Sequence, residues 1–179
     1  YPITDNAKDL GTSSFRFKNL YLANIAYVDK VMGHDDTNTY ISFIGSDVTQ
    51  FVQGGTEAMR IEATGVAKFS KAIVENKTTI SGTSVSIDTT TGNMFAHTLS
   101  GNTTYTFTNS SAAGTTTSFT LRIMQDSTAR TITWPSSVDW AGGTAPTLST
   151  GSGDVDVFVF FTHDGGTTYY GFTAGQDMS

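Results

Sequence analysis

The run Val155-Asp156-Val157-Phe158-Val159-Phe160-Phe161 decides the fold class. β-Branched and aromatic residues fit a pleated, half-buried surface. Alternation sends Val155, Val157, Val159 and Phe161 to one face and Phe158 and Phe160 to the other. A strand apolar on both faces belongs in the middle of a sheet, and this one is far too short to cross a bilayer. His163-Asp164-Gly165-Gly166 follows. Asp-Gly tolerates the positive φ of a hairpin turn, so Thr167 to Phe172 is expected to return as the pairing strand.

Working outward, Thr117 to Gln125 alternates with Phe119, Leu121 and Ile123 on one side, and Arg130 to Trp134 continues with Ile132 and Trp134. Gly-containing turns such as Thr91-Gly92-Asn93 and Ser100-Gly101-Asn102 separate the clusters. Turn signals at roughly 8–12-residue spacing mark an all-β chain. Residues 76–179 therefore read as a β-sandwich head, jelly-roll-like in its strand pattern. Within a shaft module at 32–75, four short strands are expected as a meander: Tyr40 to Ile44, Val48 to Val52, Ala58 to Ile61 and Val66 to Phe69. A unit this small, without disulfides, needs an apolar surface supplied from outside itself. Residues 1–31 form a third, N-terminal segment, in which Asn19 to Met32 fits both a short helix and an irregular strand pair.

Composition narrows the function classes. The chain has 179 residues, no Cys, ten Lys plus Arg against sixteen Asp plus Glu, and a net charge of −6. Such a balance is unsuited to gripping nucleic-acid phosphates, and neither nucleic acid nor membrane insertion is expected. There is no basic-then-apolar leader pattern. The chain opens on Tyr1 rather than Met and is expected to be a piece of a longer protein.

Catalytic chemistry finds little footing. No Gly-x-Ser-x-Gly turn exposes a serine. His34, His97 and His163, the three imidazoles, fall in different predicted modules or strands, whereas a general base must lie within hydrogen-bond reach of its proton. His34-Asp35-Asp36 and Asp154-x-Asp156 are small acidic clusters that suit weak calcium binding or, more plainly, a solvated turn and a strand edge. No cofactor, no metal site and no enzymatic activity is expected. Paired carboxylates for glycoside hydrolysis are compatible with sixteen acidic residues.

Surface contact is the better prospect, because loops on rigid β scaffolds carry binding groups. Trp140, in the Gly-rich stretch Val138 to Gly143, is a candidate to stack on a sugar ring or an apolar receptor patch. His163 and Asp164 mark the tip of the last hairpin. Tyr169 and Tyr170 lie on its return strand, one facing inward and one outward. Trp134, alternating with Ile132, reads as core.

Two stretches carry a resemblance. The segment Asp9-Leu10-Gly11-Thr12-Ser13-Ser14-Phe15-Arg16-Phe17-Lys18-Asn19-Leu20-Tyr21-Leu22 resembles a recurring segment of bacteriophage tail fibres, particularly those of marine phages. Gly55-Thr56-Glu57-Ala58-Met59-Arg60-Ile61-Glu62-Ala63-Thr64-Gly65 is similar to a Glu-x-Met-Arg-Ile-x-x-x-Gly segment found after it. The stretches from Arg130 to Leu148 and from Asp164 to Phe172 also look like fibre ends. The resemblance implies a homotrimeric fibre at the distal end of a virion tail, outside the cell. Its partners would be copies of itself, other tail proteins and a host surface glycan or outer-membrane protein. On that reading many weak sites act together through avidity. The alternatives are a purely structural fibre element or trimerisation cap, a capsule depolymerase, and a secreted adhesin or lectin domain.

Overall fold

The computed structural model describes residues 21–22, 28–33 and 35–178. The chain divides into two compact units, Tyr1–Ile73 and Val74–Ser179. The described residues of both are built from strands, and among them no helix is long and apolar enough to cross a membrane. Most of the expected N-terminal segment, the first resemblance segment up to Leu20 and His34 lie outside the described residues.

The described residues of the first unit form a five-stranded antiparallel meander in chain order: β1 (Lys30–Met32), β2 (Tyr40–Ile44), β3 (Val48–Gln53), β4 (Thr56–Ile61) and β5 (Ala67–Phe69). At the end of the stretch Asn19 to Met32, the described residues Lys30–Met32 are a strand. Partners across an antiparallel ladder share a face. Register therefore aligns Val31, Ile41, Phe51, Met59 and Phe69 in one row across all five strands. The opposite face is mixed, with Tyr40, Ile44, Val48 and the buried Val52 around a polar centre. Ser42 Oγ donates to Gln50, Gln50 Nε2 to Glu57, and Ser70 Oγ to the same carboxylate, which also meets Arg60. These hydrogen bonds, chiefly from Ser70 and Gln50, hold the Glu57 carboxyl below its ordinary pKa. Among the described residues of this unit only Ser42 and Val52 are buried, while Val31, Phe43 and Phe69 remain about half exposed.

The second unit has two sheets. From β6 to β12 the chain alternates between them. β6 (Lys77–Ile80), β8 (Met94–Thr98), β10 (Thr117–Met124) and β12 (Val138–Trp140) enter the larger sheet. β7 (Ser84–Asp88), β9 (Thr103–Thr108) and β11 (Ile132–Thr133) enter the smaller. A single 3-10 turn at Ala141–Gly143 follows β12, then β13 (Val155–Thr162) and β14 (Tyr169–Met178) form a hairpin. The larger sheet runs β12-β14-β13-β10-β8-β6 and the smaller β11-β9-β7. The pairs β6/β8, β8/β10, β7/β9, β9/β11 and β12/β14 are parallel, and only β10/β13 and β13/β14 are antiparallel. This corrects the jelly-roll expectation, since a jelly roll is made of antiparallel Greek keys. The unit is a short two-sheet coil closed by a hairpin. The jelly-roll picture arose because alternation reveals which face is buried and carries no information on strand direction.

The core lies between the sheets. Val85, Ile87 and Tyr105 of the smaller sheet face Phe95, Phe119, Leu121, Ile123, Phe158 and Phe160 of the larger. Phe119 packs parallel to Phe160 at 5.0 Å, and Phe107 meets both edge-on, also at 5.0 Å. Offset and edge-to-face pairs at these spacings add to the gain from burial itself. At one end of the coil, polar latches fix the connections. Gln125, buried, donates to the carbonyls of Arg130 and Ser149 and accepts from the Arg130 amide. Asp156 accepts from Ser149 N, Ser149 Oγ and Asp177 N at 2.7–3.1 Å. Asp154 accepts from Gly151 N. The Asp154-x-Asp156 pair thus fastens loops, and among the described residues no group of acidic and imidazole side chains is placed to hold a metal.

Candidate binding surface

Asp164 shapes the loop between β13 and β14. Its carboxylate accepts from Thr162 Oγ1 at 2.9 Å and from the Thr168 amide at 3.0 Å. These bonds, the backbone one foremost, lower its pKa. Gly166 has φ +86°, and a Cβ there would sit 2.6 Å from Ser110 Oγ. Turn chemistry and close approach both demand glycine here. Folding the tip back in this way sends the chain into β14 with Tyr169 inward and Tyr170 outward. Tyr169 is 1% exposed and its hydroxyl bonds to Ser110.

The outward side chains of this hairpin form an aromatic cluster. Phe161 stands opposite Tyr170 in the ladder, with ring centroids 5.1 Å apart. Phe172 lies nearly parallel to Phe161 at 5.9 Å and 12°. His163 lies nearly parallel to Tyr170 at 5.8 Å and 13°. Tyr170 is 36% exposed and Phe172 51%. The expected residues His163 and Tyr170 are brought together here. Phe161 and Phe172 were missed as contact residues, although the hairpin register that pairs Phe161 with Tyr170 follows from counting outward from the turn.

Two expected contact residues are elsewhere. Trp140 is on strand β12, only 9% exposed, packed edge-on against Trp134, Phe158 and Phe160. Gly171 makes room for it, since a Cβ at that position would lie 2.8 Å from the indole. The Gly-Gly sequence that suggested an exposed loop begins one residue beyond Ala141, where the 3-10 turn leaves the sheet. Trp140 and Tyr169 therefore serve the core, while Asp164 spends its oxygens on its own loop. Trp134 stacks on Tyr105 at 5.5 Å. His97 is fully buried with Tyr105 as its partner, while His163 is exposed on the outer sheet face.

Beside the aromatic cluster lies a polar basin of about 270 Å³. Thr89 and Asn93 from the β7–β8 connection, Asn109, Ser111 and Thr116 from the β9–β10 connection, and Ser118 from β10 line it. Ser118 is the direct cross-strand partner of Phe161. Both point to the outer face, because their neighbours Phe119 and Phe160 point into the core.

Searched against models of protein families, against curated proteins and against solved structures, the chain matches none.

Proposed function

We propose that this chain is a distal part of a bacteriophage tail fibre that attaches non-covalently to a host bacterial surface. The Phe161–His163–Tyr170–Phe172 cluster on the outer face of the two-sheet scaffold, half-buried at Phe161 and exposed at the other three, carries this reading. Rigid aromatics offer a large contact area for little loss of conformational freedom, which suits adhesion. The fibre part of the reading is supported by the two resemblance motifs and by the first unit. Its apolar row Val31–Ile41–Phe51–Met59–Phe69 includes end residues still half exposed, and among its described residues it has almost no core of its own. Contiguous exposed apolar surface of this kind marks an association site. Identical chains packing these faces together, as a homotrimer, would complete it and multiply the binding surfaces. The test pairs the solution mass of the intact chain by light scattering with adhesion of labelled protein to a panel of bacterial cells. A mass near three times 19.1 kDa together with saturable binding to particular strains is the expected result. A folded monomer that binds no cell overturns the reading.

A further inference from the structure

We propose that the aromatic cluster and the adjoining basin form one site for a neutral glycan chain, with the rings taking the C–H face of a sugar and the basin taking its hydroxyls. This rests on the adhesion reading above and names the chemistry of the receptor. Ser118 and Phe161 are opposite one another on neighbouring strands, so one wall of the polar basin stands directly beside the rings. All four parts of the site lie at the same end of the coil. The connections 89–93 and 109–116, the hairpin loop 163–168 and the first outward residues of β14 converge there, because strands of the smaller sheet end where those of the larger sheet begin.

The side chains match a saccharide in kind. A sugar ring presents an apolar face and a rim of hydroxyls, each both donor and acceptor. Phe172 and Tyr170 supply exposed ring surface for the first. Threonine and serine hydroxyls and asparagine amides are themselves both donors and acceptors, and so pair with the second. Asn93, Asn109, Thr116 and Ser118 are exposed in the basin. No Lys, Arg, Asp or Glu lines it. The nearest charged groups bound to lining residues are carboxylates: Glu75 accepts from Asn93, and Asp88 from Thr90. Carboxylates behind the wall repel phosphate, uronate and sialate groups, as does the net charge of −6. A neutral hexose or N-acetylhexosamine oligomer is left as the matching ligand class.

The experiment uses the full chain on immobilised neutral hexose and N-acetylhexosamine oligosaccharides, with uronate- and sialate-containing oligosaccharides alongside. Variants are Tyr170→Ala, Phe172→Ala and, in the basin, Asn93→Ala, with Thr106→Ala on the outer face of the smaller sheet as a reference. Each is also tested by light scattering and on bacterial cells. The proposal expects binding to neutral oligosaccharides that salt does not weaken, loss of roughly tenfold in affinity for each site variant at an unchanged mass, and none for Thr106→Ala. Binding confined to acidic oligosaccharides overturns it. So does full retention of cell binding by Tyr170→Ala and Phe172→Ala, which leaves adhesion standing and removes this site. A fall in mass for Phe172→Ala overturns it in favour of a contact between copies. Absence of binding to every oligosaccharide and every cell removes both readings.

Discussion

His97 on β8 and Tyr105 on β9 join the two sheets of the second unit through a bond of 2.6 Å between Nδ1 and the phenolic oxygen. Both residues are essentially without solvent exposure. Burial pushes the phenol well above its ordinary pKa, so it stays a neutral hydroxyl, and the His97 tautomer sets which of the two groups donates. Burial also lowers the His97 pKa, more than the nearby Gly82 backbone raises it. Nε2 reaches no partner within hydrogen-bond geometry.

This pair makes stability depend on pH in a definite window. Because the folded pKa of His97 lies below the unfolded value near 6.5, the unfolded chain binds the extra proton first as pH falls. The contribution is fully present above about pH 6.5 and is lost as pH drops from there through the folded pKa. Urea midpoints measured between about pH 7 and 5 should fall with acidification. The double variant His97→Leu/Tyr105→Phe should show a flatter profile. Asp88, Asp126 and Asp164, whose pKa values are held low by hydrogen bonds, act in a separate, more acidic window.

Tyr105→Phe alone leaves Nδ1 of a buried imidazole without its hydrogen-bond partner. It should cost about 1–3 kcal/mol in urea unfolding, more than the paired removal would suggest by addition.

Adjacent residues on β13 should differ sharply. Phe160 is fully buried among Phe107, Phe119, Trp134 and Trp140. Phe160→Ala should cost about 3–5 kcal/mol by the cavity it leaves. Phe161→Ala, on the outer face, should cost markedly less in the same denaturation experiment. Equal costs would mean that the outer face is packed as tightly as the core.

Gly171→Ala sets a methyl against the Trp140 indole and Val138, with each contact below 3.0 Å. Overpacking of this kind costs about 1–3 kcal/mol. The expected readout is a lower thermal midpoint with a changed tryptophan near-UV signal.

In the first unit, Met59→Glu places a charge within the apolar row, between Phe51 and Phe69. It should lower the solution mass while leaving the near-UV spectrum of the second unit intact. An unchanged mass would detach assembly from this face.

Much of this architecture was legible in the residues. Four of the five meander strands, β2 to β5, were readable because each alternates and glycine marks the turns between them, at Gly45, Gly54 and Gly65 with φ between +56° and +82°, whereas β1 was not. The inward set Phe119, Leu121 and Ile123 was readable for the same reason. The coil was not. Register steps from Lys77 to Met94 and then to Thr120, so successive turns of the coil differ in length and no repeat shows in the sequence. The site was half legible. Asp-Gly-Gly announced the hairpin and hence His163 and Tyr170. Glycines beside Trp140 suggested a loop, whereas Gly171 is small so that the indole can be covered. The basin draws on connections distant in sequence, and no local pattern announces a convergence that only the coil creates.

The hairpin β13–β14 sits between β10 and β12, two strands made earlier in the chain. Until it arrives, β10 presents an unpaired edge running from Thr117 to Met124, and β12 has no neighbour in its sheet. A ribosome making this chain therefore releases most of the second unit before the piece that seals it. Unsealed strand edges are templates for wrong pairing, and non-local parallel pairing is slow to form. Production of the protein should accordingly be limited at the stage of the nascent chain, where cooler expression or a chaperone that shields strand edges would raise the soluble yield far more than any gain in the stability of the finished molecule.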